Sequence, residues 1–217
     1  MIDFSILIEH SDLFIEGFGN TIKASLLALV GSLLLGTLIA VFCIAPIRPL
    51  NWVGVAYVEF IRNIPLLLVV FLFFVGLPAL GIVLKPFLAG TLGLTVYTAA
   101  FIAETIRAGI MAIPKGQSEA ARSSGLTYVQ TMRYIILPQA FKVVIPPMGN
   151  QFINLVKNSS ILGVIAGLDL MYFGDLISAE TFVTFDVYVF VAIFYLVITL
   201  PLSFLVGYLE RRLASHK

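Results

Sequence analysis

Long apolar runs, each broken by a short stretch of prolines, glycines and charges, set the pattern of this sequence. From Ala24 to Ile47 no charged residue occurs, enough at 1.5 Å per helical residue to cross about 30 Å of hydrocarbon with tilt. Within that run Ala24, Ala28, Ser32, Gly36 and Ala40 recur every fourth residue, a stripe that predicts close approach of a neighbouring helix. Comparable runs follow. The pattern predicts an all-α, polytopic membrane protein with five transmembrane helices, over about 20–46, 60–84, 90–113, 147–168 and 187–209. Residues 1–217 read as one transmembrane domain. Pro146 and Pro147 are taken to open the fourth span, since proline is accepted in a helix's first turn. Gly163 and Gly167 form a G-x-x-x-G pair in that span.

The polar loop 114–146 has an internal order of its own. Ser118 is placed to cap a short helix, and Gly125 supplies the left-handed residue that ends it. Thr127 and Gln130 then form a capping box, T-x-x-Q, so the segment reads as helix, tight turn, helix. A helix-turn with glycine at its bend suits a groove on another protein, because glycine permits close backbone approach.

Composition supports the membrane reading: 60% of residues are hydrophobic, 12% are charged, and mean hydropathy is +1.05. A net charge of +1 carries no nucleic-acid signal. The single cysteine, Cys43, sits in an apolar run and reads as a small buried hydrophobe. No signal peptide is expected, because Asp3, Glu9, Asp12 and Glu16 precede the first base, Lys23. Arg48, Lys115, Arg122, Arg133, Lys142, Arg211, Arg212 and Lys217 fall on one side of a five-span topology, against Lys85 and Lys23 on the other. The excess of bases predicts an N-terminus outside, a cytoplasmic C-terminus and a cytoplasmic loop 114–146. Asp169, Asp175, Glu180 and Asp186 then occupy an outside stretch.

Polar residues inside spans mark the candidate path. Gln151, Asn154 and Asn158 recur at three and four residues, hence on one side of a helix, with Asn150 and Lys157 beside them. Counted from Pro147, Lys157 lies about 15 Å deep. An ionisable group there costs at least about 2.5–3.5 kcal/mol unless it faces water or a partner. Glu104, in the third span, reaches a comparable depth. A zwitterionic solute needs a cation for its anionic group and an acceptor for its cationic one. Lys157, Asn158 and Ser159, supported by Asn154, therefore read as lining a substrate path, with Glu104 meeting the solute's cationic group or pairing with Lys157. A structural Lys157–Glu104 ion pair is the other reading. Glu59 and Arg62, three apart on one helical face, read as a structural pair.

The sequence Glu119-Ala120-Ala121, with Gly125, Ile135, Leu137 and Pro138 following, resembles the EAA loop of permease subunits of bacterial ATP-binding-cassette (ABC) importers. Tyr57-Val58-Glu59-Phe60-Ile61-Arg62 with Pro65, Ala103-Glu104 with Arg107, and Lys157-Asn158-Ser159-Ser160 resemble the polar amino acid branch, the His/Glu/Gln/Arg/opine uptake family. The likeness runs from about residue 17 to about 212. It implies a type I ABC importer permease fold in a bacterial plasma (inner) membrane. It further implies that Glu119, Ala120, Ala121, Gly125, Leu137 and Pro138 couple the chain to a cytoplasmic ATP-binding subunit dimer. A second permease subunit, identical or not, and an extracytoplasmic amino acid-binding protein complete the implied assembly. The family's substrate path passes the segment matching Lys157 to Ser160. Many relatives carry Asp where Asn158 stands, which favours a neutral or acidic substrate such as glutamine or glutamate.

No cofactor is expected in this chain, because no Gly-Lys dipeptide and hence no phosphate-binding P-loop occurs; ATP and Mg would be held by the partner. An intramembrane enzyme is disfavoured: the two histidines, His10 and His216, stand at opposite ends of the chain and no hydrolase motif is present. An ion-coupled carrier or channel is the remaining alternative, and the chain shows no internal duplication of the kind many such carriers have.

Overall fold

In the computed structural model, which describes residues 3–214, the chain is helical throughout and no strand occurs among the described residues. Lys217 and His216 lie outside the described residues. Helix α1 spans Ser5–Glu9, α2 Ser11–Ile44 and α3 Arg48–Arg62. Helix α4 runs Leu66–Ala79, α5 Pro86–Met111 and α6 Lys115–Ser123. Helix α7 runs Tyr128–Ile165, α8 Leu170–Thr181 and α9 Thr184–Ala214. Three helices, α2, α5 and α9, are long and apolar enough to cross a membrane; up to five crossings result if the bent pairs α3–α4 and α7–α8 each count as one. The most apolar stretch of α9 has a mean hydropathy of 2.6 with only 17% of it buried, so the rest of the described chain leaves most of its greasy surface uncovered. That combination suits lipid, not water.

Close packing follows the small-residue stripe. Ala24, Ala28, Ser32, Gly36 and Ala40 are all buried, and α2 lies along α5. A side chain at Gly36 would come within 2.8 Å of the Ala99 carbonyl oxygen, so glycine is what lets the two backbones touch. A second core joins α2, α8 and α9 through Phe14, Leu170, Ile177, Val187 and Phe190. There Phe14 stacks on Phe194 with ring centroids 5.6 Å apart.

The second predicted span is not one straight helix. Helices α3 and α4 meet at 109°, with Pro65 as the residue preceding α4. The Asn63 side chain donates to the Glu59 carbonyl oxygen at 2.6 Å, meeting one of the helix-end carbonyls that the bend strands. The Tyr57 hydroxyl then ties α3 to α5 by donating to the Val96 carbonyl at 2.7 Å.

Prolines also explain two wide turns. Single π turns occupy Leu72–Gly76 in α4 and Met132–Ile136 in α7, and each ends two residues before a proline, Pro78 or Pro138. A proline lacks the N–H and crowds the carbonyl four residues back, and a local widening of the helix accommodates both.

The fourth span departs most from expectation. Pro146 and Pro147 do not open a helix; they lie inside the continuous segment Leu137–Asn158 of α7. That helix starts before them because its first turns are supported by the capped segment at Thr127. It ends in a 3-10 stretch, Ser159–Ile165, after which Ala166 and Leu168 adopt left-handed φ angles of 54° and 59°. Each such residue costs about 1–3 kcal/mol, so surrounding contacts must hold them. Gly163 and Gly167 serve this break and not a straight helix-helix seam: a side chain at Gly167 would meet Leu162 Cβ at 2.8 Å. Helix α8, expected as part of an outside stretch, follows at 49° to α7.

Candidate functional site

Two regions bear on function, and the first is the predicted path. Tyr97, Thr98 and Phe101 of α5 face Gln151, Asn154, Leu155, Lys157 and Asn158 of α7 across a groove of about 440 Å³. The period of α7 delivers the amides: positions 151, 154 and 158 share one face, as the sequence spacing requires. Lys157 and Asn154 are exposed to the groove and Asn158 is half-buried. Among the described residues Lys157 forms no ion pair, so its ammonium is free to meet an anionic group. Ser159 is fully buried and donates to the Val156 carbonyl at 2.8 Å, while Ser160 is half-buried.

Glu104 does not pair with Lys157. Its carboxylate takes a two-pronged bond from Arg107, with Nε at 2.8 Å and Nη2 at 2.7 Å. Arg62 approaches the same carboxylate at 3.7 Å. The fork of Arg107 lies one helical turn along α5, where a bidentate fit comes without distortion. The predicted Glu59–Arg62 pair is likewise absent. Arg62 is drawn to Glu104 and lies 5.6 Å from the centre of the Phe101 ring, while the Glu59 carboxylate accepts from Asn63 at 3.4 Å. Because Phe101 lines the groove, this charged cluster stands directly behind the groove wall. A smaller cavity of about 170 Å³, lined in part by Cys43, Glu59, Glu104 and Arg107, adjoins it.

The second region is the polar loop. Glu119 and Ala120 are exposed on α6, and Ala121 is buried against the chain. Ser118 is not the cap: α6 starts earlier, after Pro114, and the Ser118 hydroxyl instead donates to the Lys115 carbonyl at 2.8 Å. Proline preorganises that start better than a mid-segment serine. Gly125 has φ +85°, and the bonds Gly125 N–H to Arg122 O and Leu126 N–H to Ala121 O close a Schellman turn. Thr127 and Gln130 make both halves of the capping box, at 2.9 and 3.3 Å. Leu137 lines an apolar cavity of about 640 Å³ between α2, α5 and α7, and Pro138 is exposed next to it. Tyr128, Val129 and Tyr134 show large exposed surfaces around the turn.

Sequence reasoning missed the aromatic wall, Tyr97 and Phe101, because aromatics in an apolar span carry no distinguishing signal. It also missed the burial of Asp169, which it counted only as one of the outside acids and which is fully buried. Its available signal was its place one residue before an apolar helical run, where Asp commonly caps. Its carboxylate accepts the Met171 and Tyr172 N–H groups at 3.2 and 3.1 Å.

Residues 32–215 match the family described as the binding-protein-dependent transport system inner membrane component. The chain is 63% identical over 209 residues to the probable glutamine ABC transporter permease protein GlnM of Bacillus subtilis (strain 168), covering 96% of this chain and 97% of that one. It is 35% identical over 213 residues to the glutamine transport system permease protein GlnP of Escherichia coli (strain K12), covering 97% of each. Its fold is similar to the crystal structure of an amino acid ABC transporter with histidines, at a TM-score of 0.91 and 40% identity, over 98% of this chain and 99% of that chain. The MetNI methionine ABC transporter in an inward-facing form shares the fold at a TM-score of 0.79 and 22% identity, over 94% and 98% of the two chains.

Proposed function

Since the chain belongs to the binding-protein-dependent transport system inner membrane component family, as a permease subunit of an ABC importer, we propose that it translocates L-glutamine. The groove between α5 and α7 is the path. The observation that carries this reading is Lys157, a lysine with no ion pair among the described residues, on a wall of amide side chains. Its ammonium suits an α-carboxylate, and Gln151, Asn154 and Asn158 offer both donors and acceptors to a side-chain amide. The glutamine permeases among the relatives support the same substrate.

Glu104 is held by two arginines and acts behind the wall, setting the position of Phe101 through Arg62. The chain crosses a bacterial plasma membrane five times, N-terminus outside, a topology supported by the distribution of bases. Glu119, Ala120 and Gly125 then face the cytoplasm and dock on an ATPase dimer that binds ATP and Mg. A second permease subunit closes the other half of the path, and an outer binding protein delivers the amino acid. ATP and the loaded binding protein shift the permease between two states because each binds one state better.

The test is uptake of radiolabelled L-glutamine into proteoliposomes holding the chain with its ATPase and binding protein. Uptake requires ATP. Lys157→Ala loses a charge-assisted hydrogen bond, worth about 1.5–3 kcal/mol or roughly 10- to 150-fold in affinity, and Lys157→Arg recovers part of it. Equal uptake and affinity for wild type and both variants would refute the path, and uptake driven by an ion gradient without ATP would refute the importer reading.

A further inference from the structure

Behind the path helix lies a buried polar knot that the transport reading leaves unused. Asp169 is fully buried where α7 breaks and α8 begins, and the Tyr195 hydroxyl of α9 reaches its Oδ2 at 3.4 Å. The next residue, Leu170, donates its N–H to the buried Thr21 hydroxyl of α2 at 3.0 Å. Asn20, beside Thr21, donates to the Leu168 carbonyl at 2.9 Å. A side chain at Gly163 would lie 3.2 Å from the Tyr172 nitrogen, so the 3-10 end of α7 packs directly on the start of α8. A side chain at Gly17 would lie 2.8 Å from Leu170 Cα, so α2 and the start of α8 are in backbone contact just where these bonds form.

Four helices thus converge on the break. Ser159, buried at the start of that 3-10 end, is one residue from Asn158 and two from Lys157 on the groove wall. The left-handed Ala166 and Leu168 between them leave little slack. Capping of α8 does not need Tyr195, since Asp169 already accepts from Met171 and Tyr172. The Tyr195 hydroxyl therefore has a purpose other than starting a helix.

We propose that Asp169, Tyr195 and Thr21 form a positioning centre that sets the orientation of Lys157 and Asn158 in the groove and ties it to the seating of α8 on α2. The inference rests on the groove being the amino acid path. None of the three touches substrate; they act through the helix end that carries Lys157.

Equilibrium binding of radiolabelled L-glutamine to the purified complex of the chain with its ATPase tests this, with Tyr195→Phe, Lys157→Ala and the double variant compared. Tyr195→Phe raises Kd about fivefold, the worth of one hydrogen bond. The double variant binds no more weakly than Lys157→Ala alone, because a positioning residue has nothing left to position. A second readout needs no ligand: the rate at which a methanethiosulfonate reagent modifies Asn158→Cys in a Cys43→Ser background. Tyr195→Phe changes that rate at least about twofold. If Tyr195→Phe does not assemble, Thr21→Val replaces it, with Thr21→Ser as the variant that restores the wild-type values. Wild-type Kd and labelling in Tyr195→Phe, or additive losses in the double variant, would overturn the inference. Wild-type binding in Lys157→Ala would instead sink the path reading, and the labelling rate would then decide the positioning centre by itself.

Discussion

The turn at Gly125 and the break at Ala166 to Asp169 both redirect a helix, and they do so by opposite means. At Gly125 the partners are neighbours in sequence: Arg122 and Ala121 carbonyls close the turn, and Thr127 with Gln130 starts the next helix. At the break the partners are distant. Thr21 and Asn20 on α2 and Tyr195 on α9 hold residues that would not choose left-handed angles on their own. A locally closed turn keeps its shape when the bundle around it moves. A turn held by two other helices moves with them. The first suits a lever that must push on a partner while staying rigid, the second a wall whose side chains must follow the state of the bundle.

The sharpest way to break this contrast is Asp169→Ala. It leaves the Met171 and Tyr172 N–H groups without an acceptor in a buried setting, at about 1–3 kcal/mol. Thermal melting of the complex should fall by about 2–4 °C per kcal/mol. An unchanged melting temperature would mean that the break is held by packing alone.

Gly125→Val is the matching change in the loop. A β-branched residue at φ +85° costs about 1–2 kcal/mol, enough to lower the equilibrium constant for the intact turn about tenfold. ATP-driven uptake should drop while L-glutamine binding stays at its wild-type value. If binding falls as well, the two regions are not independent.

The smallest effect is expected for Thr127→Ala. It removes one half of the capping box, worth about 1 kcal/mol. Hydrogen exchange at the N–H of Gln130 should rise by about fivefold with no change elsewhere in α7. Faster exchange along the whole of α7 would show that the cap supports the helix through Pro146 and Pro147.

The same contrast explains how much was legible in the sequence. Gly125 and the T-x-x-Q box were readable because their partners lie within five residues. The small-residue stripe on α2 was readable because helical period alone puts it on one face. The amide face at 151, 154 and 158 was readable for the same reason. The start of α7 was not, since Pro146 and Pro147 look like a beginning until the capped turn upstream is seen to carry the helix past them. By sequence depth Glu104 has Lys157 as well as Arg107 within reach, and only the fold shows that Arg107, a turn away, takes the carboxylate. Asp169 was legible in part: its cap to Met171 and Tyr172 is local, whereas the Tyr195 hydroxyl that also reaches it comes from α9, far along the chain.

The coupling of loop 114–146 to an ATPase is tested most directly by crosslinking. Ala120 is exposed on α6, so Ala120→Cys in a Cys43→Ser background offers a single reporting thiol. In membranes holding the full transporter, that thiol should form a disulfide with a cysteine scanned across the ATPase surface, and ATP should change the yield. No crosslink at any scanned position, together with labelling by an impermeant reagent from outside, would contradict the account.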